Sequence, residues 1–118
     1  MKRDESVYLR HILDAIIKVD EYLLGSTEDS FYANSLLQDA VIRQLEIIGE
    51  ATKRLSRDLR SLHPQIPWDD ISGMRDKLIH DYFGVDIEKV WLTAAEDLPP
   101  FKMEVQKILT TLQAEPPG

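Results

Sequence analysis

Leu9, Ile12, Leu13, Ile16, Ile17, Leu23 and Leu24 recur largely at three- and four-residue steps, with Asp14, Lys18 and Glu21 between them. This spacing predicts a first helix with one apolar face, ending near Gly25. The stretch Gly25-Ser26-Thr27-Glu28-Asp29-Ser30 is turn-like and offers several side chains able to cap the next helix. A second stripe, Leu37, Val41, Leu45, Ile48, Thr52, Leu55, Leu59 and Leu62, runs at near-heptad spacing until His63-Pro64. As one helix of roughly 30 residues it would be about 45 Å long and would outreach a small bundle, leaving part of its stripe for a dimer. A bend or an earlier break is the equal alternative.

Pro64-Gln65-Ile66-Pro67 is a stiff connector, after which Asp69 or Asp70 can cap a third helix bearing Ile71, Met74, Leu78 and Tyr82 and ending at Gly84. Asp86 is a good N-cap for a fourth helix, with Val85 and Val90 spaced as a hydrophobic staple. Pro99-Pro100 interrupts that helix, so a kink or restart is expected near Leu98, then a last helix over Phe101, Val105, Ile108 and Leu112. No alternating run suggests a strand. The expected fold is an all-α bundle, one domain over residues 1–113 with a frayed tail at 114–118.

Gly49 and Gly73 fall inside helical pattern, where each costs about 1 kcal/mol relative to Ala. Both are expected to serve close backbone approach, of the second helix against the third. Such a crossing would carry Glu46 or Glu50 towards Arg75.

Composition narrows the chemistry. Hydrophobic residues at 43% and charged residues at 30% exclude wholesale disorder. A net charge of −7 argues against broad binding along duplex DNA, so any nucleic-acid contact is local. Lys53, Arg54, Arg57 and Arg60, at about one-turn spacing, and Arg75 with Lys77 are the candidate phosphate contacts, although a solvated helical face would look the same. With no cysteine there is no disulfide, thiolate metal site or cysteine nucleophile. No apolar run approaches the roughly 20 residues that span a bilayer, and no apolar signal region comes after Met1, so a cytoplasmic protein without membrane contact is expected. His11 and His63 have no partners at ligand spacing, and neither metal nor cofactor is expected.

The densest chemistry is Arg75-Asp76-Lys77-Leu78-Ile79-His80-Asp81-Tyr82. A guanidinium can clamp a phosphate, an imidazole can move protons near neutral pH, and a phenol can position a group or be modified. Charged clusters are also ordinary on solvated helix ends, so the cluster alone does not decide. On an ideal helix Arg75 and Tyr82 lie within roughly 20° of one another, whereas His80 is turned roughly 140° from Arg75. Either the helix unwinds near His80 or the site is shared between two chains.

Ile48-Gly49-Glu50-Ala51, Pro64 through Trp68, Gly73-Met74-Arg75 through Tyr82, and Val90-Trp91 together resemble the HepT-like HEPN-domain proteins, toxins of toxin–antitoxin pairs. The resemblance runs from about the first helix to the fourth. It implies a HEPN-type up-and-down four-helix bundle with a short extra or kinked C-terminal helix, acting as a homodimer with both protomers' motifs lining one cleft. It further implies a metal-independent endoribonuclease of a type VII system, with Arg75 and His80 catalytic and RNA, specifically tRNA, as substrate. The partner it implies is a minimal (MNT-type) nucleotidyltransferase antitoxin that silences the toxin by AMPylation of Tyr82. Asp76 stands where HEPN proteins often carry Asn or another polar residue; it, Glu46 and Glu50 are candidate supporting carboxylates. The rival reading is a noncatalytic helical adaptor that binds a nucleotidyltransferase and presents nucleotide or substrate to it.

Overall fold

The computed structural model describes residues 4–74, 76, 79–81 and 84–114, with only the backbone described at 79–81 and 114. Helix α1 (Ser6–Leu23) buries Leu9, Ile12, Ile16 and Val19 at the predicted steps. It closes in a tight turn, with the Ser26 N–H donating to the Leu23 carbonyl at 2.9 Å and Gly25 at φ +79. That left-handed conformation suits glycine, so the first helix ends where the pattern placed it.

The capping residues beyond Gly25 act in two steps. Thr27 and Ser30 form a reciprocal capping box, Ser30 N–H to Thr27 Oγ1 at 3.1 Å and Thr27 N–H to Ser30 Oγ at 2.8 Å, which starts a short α2 (Glu28–Tyr32). Phe31 of this helix is fully buried against Trp91, with ring centroids 5.4 Å apart. Beside it the Glu28 carboxylate accepts from the Tyr32 hydroxyl and pushes that phenol up to about 12. Asn34 then caps α3 (Ser35–Lys53) by accepting from the Leu37 N–H at 3.0 Å.

α3 spans about 28 Å by its 19 residues, rather than 45 Å. The stripe breaks at Arg54–Ser56 and resumes in α4 (Arg57–Leu62), so the earlier break is the observed one. Leu55 and Leu59 remain buried on the far side of the break. Ser56 takes an extended backbone, and its Oγ accepts from the Leu59 N–H at 3.1 Å. Glu5, at the start of α1, accepts from the Ser56 N–H at 2.7 Å and from the Ser56 hydroxyl.

After Pro64–Pro67 comes α5 (Trp68–Ser72), which begins two or three residues earlier than expected and has no side-chain cap. Asp69 and Asp70 lie in its first turn instead of capping it. The third helix does not run on to Gly84. Helical backbone recurs at Met74 and Asp76, and then β1 (Ile79–Asp81) pairs antiparallel with β2 (Gly84–Val85). This small hairpin, with Ile79 opposite Val85, is the strand that no alternating run announced. Gly84 at φ +158 adopts a backbone that other residues rarely take, and it excludes helix there.

Asp86 caps α6 (Ile87–Leu92), its carboxylate accepting from the Lys89 N–H at 3.1 Å, as the sequence predicts. Val90 is fully buried and Val85 packs on the same core. A π-helical turn over Thr93–Asp97 leads directly into α7 (Leu98–Ala114). The restart thus falls at Leu98, yet the helical path is not interrupted. α1 packs chiefly on α3 and on α7, giving an all-α bundle with one minor hairpin. Among the described residues no helix is long and apolar enough to cross a membrane. The expected tail at 114–118 falls almost wholly outside the described residues.

Candidate active site

The segment leading to the Arg-His-Tyr cluster is held from both ends. Trp68 is buried, and its indole N–H donates to the carbonyls of Arg60 at 3.1 Å and His63 at 3.0 Å, which satisfies the end of α4. Its ring meets Phe101 of α7 edge-on at 6.1 Å. On the other side, Gly49 lets the α3 backbone approach α5: a Cβ there would lie 3.3 Å from the Ile71 carbonyl oxygen and 3.5 Å from that of Ser72. The expected close crossing is therefore real at Gly49. At Gly73 it is not between helices, because a Cβ would meet only Asp69 O at 3.2 Å, within its own turn.

Arg75, Lys77, Leu78, Tyr82 and Phe83 lie outside the described residues, as does the side chain of His80. The expectations placed on Arg75, His80 and Tyr82, and the approach of Glu46 or Glu50 to Arg75, rest on those positions. What is described is the backbone: His80 sits in the extended β1, so the chain has left the helix before reaching it. Asp76 is exposed.

Glu46 and Glu50 are described in full. They occupy adjacent turns of α3, Glu46 half-buried and Glu50 exposed, in an open groove shared with Arg43 of α3, with Arg54 at its C-cap, and with Tyr8 and His11 of α1. The sequence pattern assigns no role to Arg43, Tyr8 or His11. The signal that could have found Arg43 is the run Arg43, Glu46, Glu50, Arg54 at steps of three, four and four on one helical face; Tyr8 and His11 leave no such signal.

The predicted basic row does not survive as one line. The break at Ser56 leaves Lys53 and Arg54 at the end of α3 and places Arg57 and Arg60 on α4, where they line a separate open groove with Trp68, Asp69 and Asp70. Among the described residues no group of three or more His, Cys, Asp or Glu is arranged to hold a metal ion.

An all-α bundle whose third segment carries Arg75-x-x-x-x-His80-x-Tyr82 behind a tight Gly49 crossing is a HEPN-class domain. The family model described as ribonuclease HepT-like matches residues 12–108, and the chain belongs to that family. It is 45% identical over 108 residues to a protein of Thermococcus cleftensis named "Probable ribonuclease HepT", covering 92% of this chain and 98% of that one. It is 46% identical over 112 residues to a Methanocaldococcus jannaschii protein named "Gamma-glutamylcyclotransferase and putative RNase", covering 95% of this chain. The chain spans only 50% of that longer relative's length. No solved structure gives a significant match.

Proposed function

We propose that this chain is a metal-independent endoribonuclease and the toxin of a type VII toxin–antitoxin pair, acting on tRNA in the cytoplasm as a homodimer. The observation that carries the reading is the Arg75-x-x-x-x-His80-x-Tyr82 motif inside the ribonuclease HepT-like match. Two further features support it. The backbone is extended at His80, so the roughly 140° offset of a straight helix does not constrain the motif. The Gly49 crossing carries the carboxylate-bearing turn of α3 alongside Ser72, three residues before Arg75.

In this mechanism His80 serves as general acid or base and Arg75 stabilises the charge of the phosphorane. The ribose 2′-oxygen loses its proton and bonds to phosphorus, the bond to the 5′-oxygen breaks, and that oxygen leaves protonated. The products carry 2′,3′-cyclic phosphate and 5′-hydroxyl ends. Asp76, Glu46 and Glu50 are the candidates for orienting the two catalytic groups. The antitoxin, an MNT-type nucleotidyltransferase, transfers AMP from ATP to the Tyr82 oxygen with release of pyrophosphate. The added anion opposes substrate by charge.

Purified protein and its His80→Ala variant, incubated with total tRNA in EDTA, test the reading by sequencing of the RNA ends. Cleavage by the wild type alone, with cyclic-phosphate ends, is the expected result. No cleavage by either, with intact mass confirming an unmodified Tyr82, would replace this reading with the nucleotidyltransferase-binding adaptor.

A further inference from the structure

The α1/α3 groove has a composition that the cleavage chemistry does not absorb. Arg43, Glu50 and Arg54 lie within about 40° of one another around α3, with the two guanidinium-bearing residues roughly 16 Å apart along the axis. Between them, Glu46 and Glu50 face the groove that the half-buried Tyr8 and the exposed His11 close from α1. A larger groove between α5 and α7 is the natural competitor for substrate. Its floor is Ile66, Ile71 and Phe101, and four carboxylates, Asp70, Glu96, Asp97 and Glu104, line it against one cation, Lys89, so its charge opposes a phosphate. The α1/α3 groove alternates instead: cation, carboxylates, cation, with an aromatic ring alongside.

We propose that the α1/α3 groove is a subsite that seats a splayed base of single-stranded RNA, an inference that rests on the ribonuclease reading above. The alternation matches a nucleotide's own parts. Arg43 and Arg54 hold phosphates on either side, and Tyr8 offers a stacking face. Ionised carboxylates only accept hydrogen bonds, so Glu46 and Glu50 repel phosphate but accept from the amino groups on base edges, as at cytosine N4 or adenine N6. Those edges are available only where the strand is unpaired. Uracil offers no amino group and is the disfavoured base.

The test is fluorescence anisotropy of labelled 2′-O-methyl dodecamers of C, A and U with the intact protein, because these strands bind without the attacking hydroxyl. Oligo(C) and oligo(A) are expected to bind more tightly than oligo(U), and Glu50→Gln to narrow the difference. Tyr8→Ala is expected to weaken binding roughly 5- to 150-fold while Tyr8→Phe retains it. Arg43→Ala, at an exposed position that folding does not need, is expected to lower the slope of log affinity against log salt by about 0.7. An Arg43→Ala variant with unchanged affinity and slope overturns the subsite. So does loss of binding that tracks dissociation into monomers by light scattering, which would make this face a contact between copies. Cleavage of tRNA in EDTA with groove-independent binding sinks the subsite and keeps the ribonuclease. Groove-dependent binding without cleavage sinks the ribonuclease instead.

Discussion

Two junctions in this chain invert what their side-chain patterns suggest. At Arg54–Ser56 an apolar stripe continues through Leu55 and Leu59, yet the helix stops; at Thr93–Leu98 two prolines come next, yet the helical path goes on. The difference lies in where backbone hydrogen bonds can go. Approaching the first junction, the Thr52 hydroxyl donates to the Ile48 carbonyl at 2.7 Å, and the N–H groups of Arg54 and Leu55 turn to acceptors three residues back. Ser56 then supplies a cap, and Glu5 holds it from another helix. At the second junction the Leu98 N–H reaches five residues back to Thr93, a wider π turn placed just before Pro99 and Pro100, which need no acceptor. Apolar spacing reports which residues are buried. Capping and donor supply decide whether the helix is continuous.

The sharpest way to break this contrast is to remove what anchors the chain beyond the first junction. Trp68 fills the core against Phe101 and donates to two carbonyls at the end of α4. Trp68→Ala is expected to destabilise by about 3–5 kcal/mol in urea unfolding, as for other large buried aromatics. Trp68→Phe keeps an aromatic ring and removes the shared donor, for an expected loss of about 1–2 kcal/mol. A Phe variant as stable as wild type would show that α4 does not depend on the indole N–H.

A smaller effect addresses the junction itself. Ser56→Ala removes the α4 cap and is expected to cost about 1–2 kcal/mol. Glu5→Ala removes the partner that accepts from Ser56, and the pair in a double-mutant cycle should couple by about 0.5–3 kcal/mol. Strict additivity would mean that the link across 51 positions of sequence does not hold the break in place.

Legibility divides along the same line. The helix ends at Gly25 and Asp86 were readable because one residue type at one position determines each, by a positive φ or by a cap. The close approach at Gly49 was readable from the cost of glycine in a helix. α2 was not separated from α3, because Thr27, Ser30 and Asn34 are all competent caps and only the structure assigns each its helix. The β1–β2 hairpin was hidden, since strands of three and two residues carry no alternation to detect. In the candidate site, the motif of Arg75, His80 and Tyr82 was visible as a string, whereas the groove that Tyr8 lines was not, because it depends on α1 lying beside α3.

The weakest perturbation tests the second junction most directly. If the π turn has already removed the demand for donors at 99 and 100, then Pro99→Ala and Pro100→Ala should each change stability by less than about 1 kcal/mol. That remainder would come chiefly from the freer unfolded chain. Asp39→Pro, at an exposed position inside α3 with no such turn before it, should cost about 3 kcal/mol. Urea unfolding of the three variants side by side measures the difference. Equal losses at all three positions would mean that the π turn gives no relief, and that packing of Leu98 and Phe101 alone keeps the helix running through its prolines.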